Sequence, residues 1–150
     1  DPVTNGHLDV FTRASKIFDV LLVAVFQNPT KRPLFDMDER MTMLKMATEN
    51  LPNVKVASHN GLLAEFMHEN NSQIIVRGLR ALTDFEYEFQ RALLLKKIDP
   101  ELETIFIMTS NEYSFVSSSG IKELAKFGGC IKGLVPKCVE SDIVARIRET

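Results

Sequence analysis

Apolar positions along the chain alternate between short continuous runs and stripes that recur every three or four residues. The longest run, residues 20–26 (VLLVAVF), is β-prone throughout and reads as a parallel strand covered on both faces. Residues 73–76 and 104–108 read as further strands, and 54–57 as a weaker one. Helical stripes fill the intervals. Leu8, Phe11, Ala14 and Phe18 share one face behind the capping candidates Thr4 and Asn5. Met37, Met41, Leu44 and Ala47 mark a second helix, whose acidic Asp36, Asp38 and Glu39 suit the positive end of its dipole. Residues 62–68 predict a third. A fourth spans 83–97, with Phe85, Phe89, Ala92 and Leu93 on one face. A fifth, 117–127, opens on serine and stops at Gly128-Gly129, and a last helix begins over 142–147.

The order is α-β-α-β-α-β-α-β-α-α, with no repeat and no internal linker. It predicts a single α/β domain over residues 1–150 with a doubly wound parallel sheet. The series opens on a helix, whereas such a unit begins with a strand feeding its first phosphate-binding turn. The pattern therefore implies a first strand missing ahead of Asp1-Pro2.

Composition narrows the class. Among 150 residues, 18 are Lys or Arg and 20 are Asp or Glu, a net charge of −2. That balance gives no support for bulk nucleic-acid binding, so a phosphate ligand must be held by a few placed cations. Hydrophobic residues at 45% and charged residues at 25% suit a globular domain of a size that builds its core without staples. No apolar run approaches the ~20 residues of a membrane helix. The opening DPVTNGH has neither the basic nor the apolar region of a signal peptide. Cys130 and Cys138 stand eight apart, which fits neither a CxxC motif nor a structural zinc site; they read as reduced thiols of a cytoplasmic chain.

Four constellations are candidates for chemistry; taken singly, their plainer readings are a capped helix with an exposed His7, a solvated loop at 28–33, surface salt bridges at Arg77 and Arg80, and an N-cap serine. Thr4-Asn5-Gly6-His7 opens a helix, where free N–H groups favour an anion, glycine lets a ligand approach, and a histidine can donate to a phosphate oxygen. Lys31 and Arg32 follow the best strand, at the strand end where open α/β sheets bind ligands. Arg77-Gly78-Leu79-Arg80 runs off another strand, its two guanidinium groups able to grip phosphates from one crevice; Asp84, Glu86 and Glu88 follow, to neutralise them or to meet ligand hydroxyls. Ser117-Ser118-Ser119 at a helix start supplies more hydroxyls than one N-cap needs and makes a phosphate cradle. Other chemistries fail on inventory. The chain has no G-x-S-x-G elbow to make a hydrolase triad with His7, His59 or His68, no Walker A motif and no G-x-G-x-x-G.

Taken in order, these blocks resemble the bacterial phosphopantetheine adenylyltransferases, within the nucleotidyltransferases marked by H/T-x-G-H. The matching residues are DPVTNGH at 1–7, Lys31-Arg32-Pro33, Arg77-Gly78-Leu79-Arg80 with Asp84-Phe85-Glu86-Tyr87-Glu88, and FVSSSGIKE at 115–123. The R-G-L-R…D-F-E-Y-E block is specific to that family, while T-x-G-H marks only the superfamily. A cytidylyltransferase or nicotinamide-mononucleotide adenylyltransferase would share T-x-G-H alone; a non-catalytic nucleotide-binding module is the reading from another class.

The resemblance implies adenylyl transfer from ATP to 4′-phosphopantetheine, giving dephospho-coenzyme A and pyrophosphate. It further implies Mg²⁺, a homohexamer and coenzyme A as a candidate inhibitor, with neither nucleic acid nor membrane as partner. On matching positions, His7 would stabilise the transition state and touch ATP phosphate. Lys31 and Arg77 would hold the pantetheine phosphate, and Leu63 would lie near its arm. Gly78, Leu79, Arg80 and Glu88 would contact ATP. Tyr113, Ser114, Phe115 and Val116 would surround the nucleotide, with Ser117, Ser118 and Ser119 at its β/γ-phosphates. An acceptor that is itself an anionic phosphate needs no general base; alignment and charge neutralisation suffice. Two departures stand out. The family places a strand ending in a Gly-Ser/Thr-Phe turn before the position of Asp1, and Leu95 and Tyr113 occupy positions where relatives often carry Asn and Trp.

Overall fold

The computed structural model describes residues 1–27 and 32–149, without the side chain of Thr83. Through them run α1 (Asn5–Ala14), β1 (Leu21–Phe26), α2 (Met37–Ala47), β2 (Val54–His59), α3 (Leu63–Glu69) and β3 (Ile74–Leu79). Then come α4 (Leu82–Ile98), β4 (Glu103–Met108), a 3₁₀ turn at Asn111–Tyr113, α5 (Ser118–Lys126) and α6 (Lys137–Arg148). The order of helices and strands is the predicted one. Boundaries moved where tertiary contacts act. β3 takes in Arg77, Gly78 and Leu79 because they pair with Phe106, Ile107 and Met108 of β4, so this motif lies on a strand rather than beyond it. α6 begins at Lys137, well before the predicted start. Val139 and Ile143, four apart on one face, are completely buried there and fix its first turns against the core.

Both strand pairs are parallel: Leu21 to Phe26 of β1 register with Val54 to His59 of β2, and β3 registers with β4 from Ile74 opposite Glu103. They form two separate two-stranded ladders, not the single sheet that alternation predicts. β1 and β3 each keep one edge unpaired among the described residues, and both strands line the same cleft.

Three apolar clusters hold the elements. The largest joins Phe35 and Met43 of α2 and its approach, Val116 and Ile121 around α5, and Val139 and Ile143 of α6. Ala64, Phe66 and Met67 fix α3 on Ile75 of β3, and Val10 and Ala14 fix α1 on Ile107 of β4. Each buried aliphatic contributes roughly 1.5–3 kcal/mol. α4 differs: none of its described residues is buried, and Leu82, Leu93, Leu94 and Ile98 stand exposed. Phe85 meets β4 edge-on at Phe106, with ring centroids 6.0 Å apart. Cys130 and Cys138 are exposed free thiols.

Two local features set α1 against the strands that carry the motif. A Cβ on Gly78 would stand 2.9 Å from Val10 Cγ2, so glycine is what lets the helix lie this close to β3. Asp9 accepts the Ser110 N–H at 2.9 Å, and Arg13 donates to the Met108 carbonyl, tying α1 to the end of β4.

Candidate functional site

Thr4 caps α1. Its Oγ1 accepts the His7 N–H at 3.3 Å, while its own backbone N–H donates to His7 Nδ1 at 3.1 Å. Such boxes ordinarily use Glu or Gln three residues after the cap; here an imidazole supplies the acceptor. A backbone N–H can only donate, so Nδ1 is unprotonated and the neutral ring carries its proton on Nε2. His7 is accessible from the cleft but closely surrounded by protein. That loss of hydration lowers its pKa from 6.5 to about 4, and the positive charge of Arg80 acts in the same sense. At pH 7 the ring is therefore a neutral donor through Nε2.

Arg80, just past β3, is held in a fork. Its Nε and Nη2 donate to the two oxygens of Asp84 at 2.9 and 3.1 Å, and Nη1 donates to the Val116 carbonyl at 3.0 Å. The guanidinium thus bridges α4 to the segment entering α5. Arg77 Nε lies 3.4 Å from Glu88 Oε2. Burial lowers the Arg77 pKa, the Glu88 charge opposes the shift, and the Arg91 charge adds to it. A guanidinium stays protonated throughout. Glu88 Oε2 is buried and, apart from this ion pair with Arg77, has no hydrogen-bond donor among the described residues.

The three serines have separate duties. Ser117 is the N-cap of α5, its Oγ accepting the Gly120 N–H at 3.0 Å. Ser118 donates to the Pro2 carbonyl at 2.8 Å, and Ser119 lies 3.2 Å from Ser117, oxygen to oxygen. Their hydroxyls retain acceptor or donor capacity beside the first free amides of α5.

A cleft of about 1680 Å³ brings most of the sequence-named residues together. His7, Leu63, Arg77, Gly78, Arg80, Glu88, Val116, Ser117, Ser118 and Ser119 line it. Leu79, Tyr113, Ser114 and Phe115 do not. The Leu79 side chain is in the core, Tyr113 packs on the largest cluster, the Ser114 hydroxyl donates to the Asn111 carbonyl, and Phe115 is 73% exposed. Lys31 lies outside the described residues. The wall also includes Tyr87 and Lys122, which stand in the matching blocks but were assigned no role from sequence. Lys122 had a usable signal: it follows Ser118 by four residues and so shares its helix face.

Among the described residues, no three His, Cys, Asp or Glu side chains are grouped to hold a metal ion. Of the carboxylates that line the cleft, Asp84 and Glu88 each engage an arginine, Asp1 accepts the Leu34 and Phe35 N–H groups, and Asp36 caps α2. These side chains do not fit a protein-held divalent cation.

A cytidylyltransferase-like family model matches residues 1–124. A phosphopantetheine adenylyltransferase of Clostridium botulinum (strain Eklund 17B / Type B) is 53% identical over 146 residues, 97% of this chain and 92% of the relative. The chain belongs to the phosphopantetheine adenylyltransferase family. The relative of that name from Clostridium tetani is 52% identical over 143 residues, 95% of this chain and 89% of its own length. That from Carboxydothermus hydrogenoformans is 53% identical over 140 residues, 93% and 86% respectively. Membership agrees with the parallel strands alternating with helices, a Rossmann-type α/β architecture. In this member of the phosphopantetheine adenylyltransferases, the T-x-G-H histidine owes its tautomer to the helix cap.

Proposed function

We propose that this chain transfers an adenylyl group from ATP to 4′-phosphopantetheine, yielding dephospho-coenzyme A and pyrophosphate in coenzyme A biosynthesis. One observation carries the reading: a chain 53% identical over 97% of its length to a phosphopantetheine adenylyltransferase gathers His7, Arg77, Arg80 and Ser117 to Ser119 on a single cleft. A phosphate oxygen of the acceptor attacks the α-phosphorus of ATP. The bond from that phosphorus to the bridging oxygen breaks, and pyrophosphate leaves with its electron pair. His7 Nε2–H donates to an α-phosphate oxygen as charge grows there, and its neutrality means that it enters the reaction with that proton in place.

Arg77, with Lys31, holds the acceptor phosphate, and Leu63 borders its uncharged arm. Gly78, Arg80 and Glu88 receive ATP, the Asp84-braced fork of Arg80 suiting phosphate. Ser117, Ser118 and Ser119 with the α5 amides take the β/γ-phosphates. Leu79, Tyr113, Ser114 and Phe115 are assigned to the nucleotide on the family motif alone. ATP enters as its Mg²⁺ salt, the ion carried by the triphosphate as part of the substrate. Coenzyme A, sharing arm and adenylate with the product, competes for the cleft.

The same reading extends to the whole molecule as one domain with a doubly wound sheet. The unpaired edges of β1 and β3 support a further parallel strand between them, with its terminal turn at the cleft. The exposed apolar side chains of α4 support a homohexamer. The same reading makes it a cytoplasmic enzyme of small-molecule substrates; no described helix is long and apolar enough to cross a membrane. The decisive assay follows pyrophosphate release from ATP with and without 4′-phosphopantetheine, alongside nicotinamide mononucleotide and CTP as competing substrates. Release only with ATP and phosphopantetheine together is expected; release with neither acceptor would leave a binding module.

A further inference from the structure

Beside the main cleft lies a second hollow of about 200 Å³ between the start of α3 and the outer half of α4. The two share Leu63, Ile75, Arg77 and Glu88, so they adjoin at this point. Leucine, isoleucine and alanine side chains make up most of the hollow's wall, and Arg91 stands in it beside Arg77. Arg91 follows Glu88 by one helical turn. Its guanidinium is already placed: Nη1 donates to the Tyr87 hydroxyl at 3.0 Å, and its Cζ lies 5.4 Å from the centroid of the Tyr87 ring. Both contacts leave other N–H groups of the fork free.

The charge count at this junction is unbalanced. Arg77 has Glu88 at 3.4 Å, whereas Arg91 pairs with no carboxylate among the described residues. Two guanidinium groups and one carboxylate leave a net charge of +1 where an apolar hollow meets the cleft. The Arg91 charge is close enough to disfavour that of Arg77, behind the larger effect of burial. A site that concentrates surplus positive charge beside an apolar channel suits a molecule with an anionic end and an uncharged chain.

We propose that Arg91 is a specificity-determining residue for the acceptor, adding a second guanidinium to Arg77 so that a phosphomonoester is taken in preference to the same chain lacking its phosphate. This inference rests on the adenylyl-transfer reading above. Arg91→Met keeps the apolar stem and removes the charge; Arg91→Lys restores a charge without the fork. Arg91 is exposed on a helix, and both replacements are good helix formers, so the fold is retained.

The test measures binding of 4′-phosphopantetheine and of pantetheine to the parent and both variants by calorimetry, with steady-state kinetics for both substrates. Arg91→Met is expected to weaken phosphopantetheine binding about tenfold, the scale of one charge-assisted contact. Pantetheine binding, kcat and the KM for ATP should stay within about twofold, and Arg91→Lys should recover part of the loss. Equal weakening of both pantetheine forms would show that the stem merely walls the hollow, and no change in either would show that Arg91 is not used; each result overturns the proposal. Adenylyl transfer by the parent, read from pyrophosphate release in the same experiment, tests the function independently.

Discussion

Replacing His7 separates its two jobs, because one ring both accepts from the helix cap and donates to the cleft. In His7→Ala the Thr4 N–H loses its acceptor, while Thr4 Oγ1 still accepts the residue-7 amide at 3.3 Å in the parent geometry. One hydrogen bond of this kind is worth about 0.5–1.5 kcal/mol of stability, a small fraction of what holds a domain together. Loss of a preorganised donor aimed at developing charge costs on the order of 10²–10³ in kcat. Turnover should therefore collapse in a folded protein that binds ATP within severalfold of the parent. His7→Gln sharpens the test. Glutamine is an ordinary capping-box partner, so its carbonyl can accept the Thr4 N–H while its NH₂ donates into the cleft. It should regain the stability and part of the turnover. Urea unfolding gives the first quantity; kcat and ATP affinity give the second. An alanine variant turning over within about threefold of the parent would refute the catalytic role, whatever its stability.

The same histidine makes a pH prediction. Its imidazole NMR signals should stay flat from pH 8 downward and titrate near 4, where an ordinary histidine moves near 6.5. The unfolded chain then binds more protons than the folded one between those values, so this group's contribution to stability is complete above pH 6.5 and is lost on acidification towards 4. Lys31→Ala and Arg77→Ala should chiefly raise the KM for phosphopantetheine, and Arg80→Ala that for ATP, each by about 10- to 150-fold for contacts worth roughly 1.5–3 kcal/mol; equal losses for both substrates in all three would break the division. Gly78→Ala drives a methyl to 2.9 Å from Val10 Cγ2 and should destabilise by about 1–3 kcal/mol, with Val10→Ala in the same chain relieving part of the clash on urea unfolding. Light scattering at micromolar concentration should report a hexamer, and Leu94→Glu on the exposed face of α4 should reduce its mass.

The sequence by itself determined the element order, since hydrophobic period and caps are local. Thr4 and Ser117 cap where their neighbours call for a cap, and α2 spans the predicted residues because Asp36 and its apolar stripe agree. It also named ten of the residues that line the cleft, because T-x-G-H and R-G-L-R are short segments. Tertiary structure decided what depends on residues far apart. Pairing with β4 drew Arg77-Gly78-Leu79 into a strand and turned Leu79 inward. The core drew α6 back to Lys137, and the separation of β1 from β3 split the expected sheet into two ladders. Ser118 bonds to Pro2 across the chain, so three adjacent hydroxyls are not equivalent. The depressed pKa of His7 comes from the protein folded around it and from Arg80, and Arg91 meets Arg77 only because α4 lies on β3. Periodicity tells which face of an element is buried; it does not tell which charges two elements bring together.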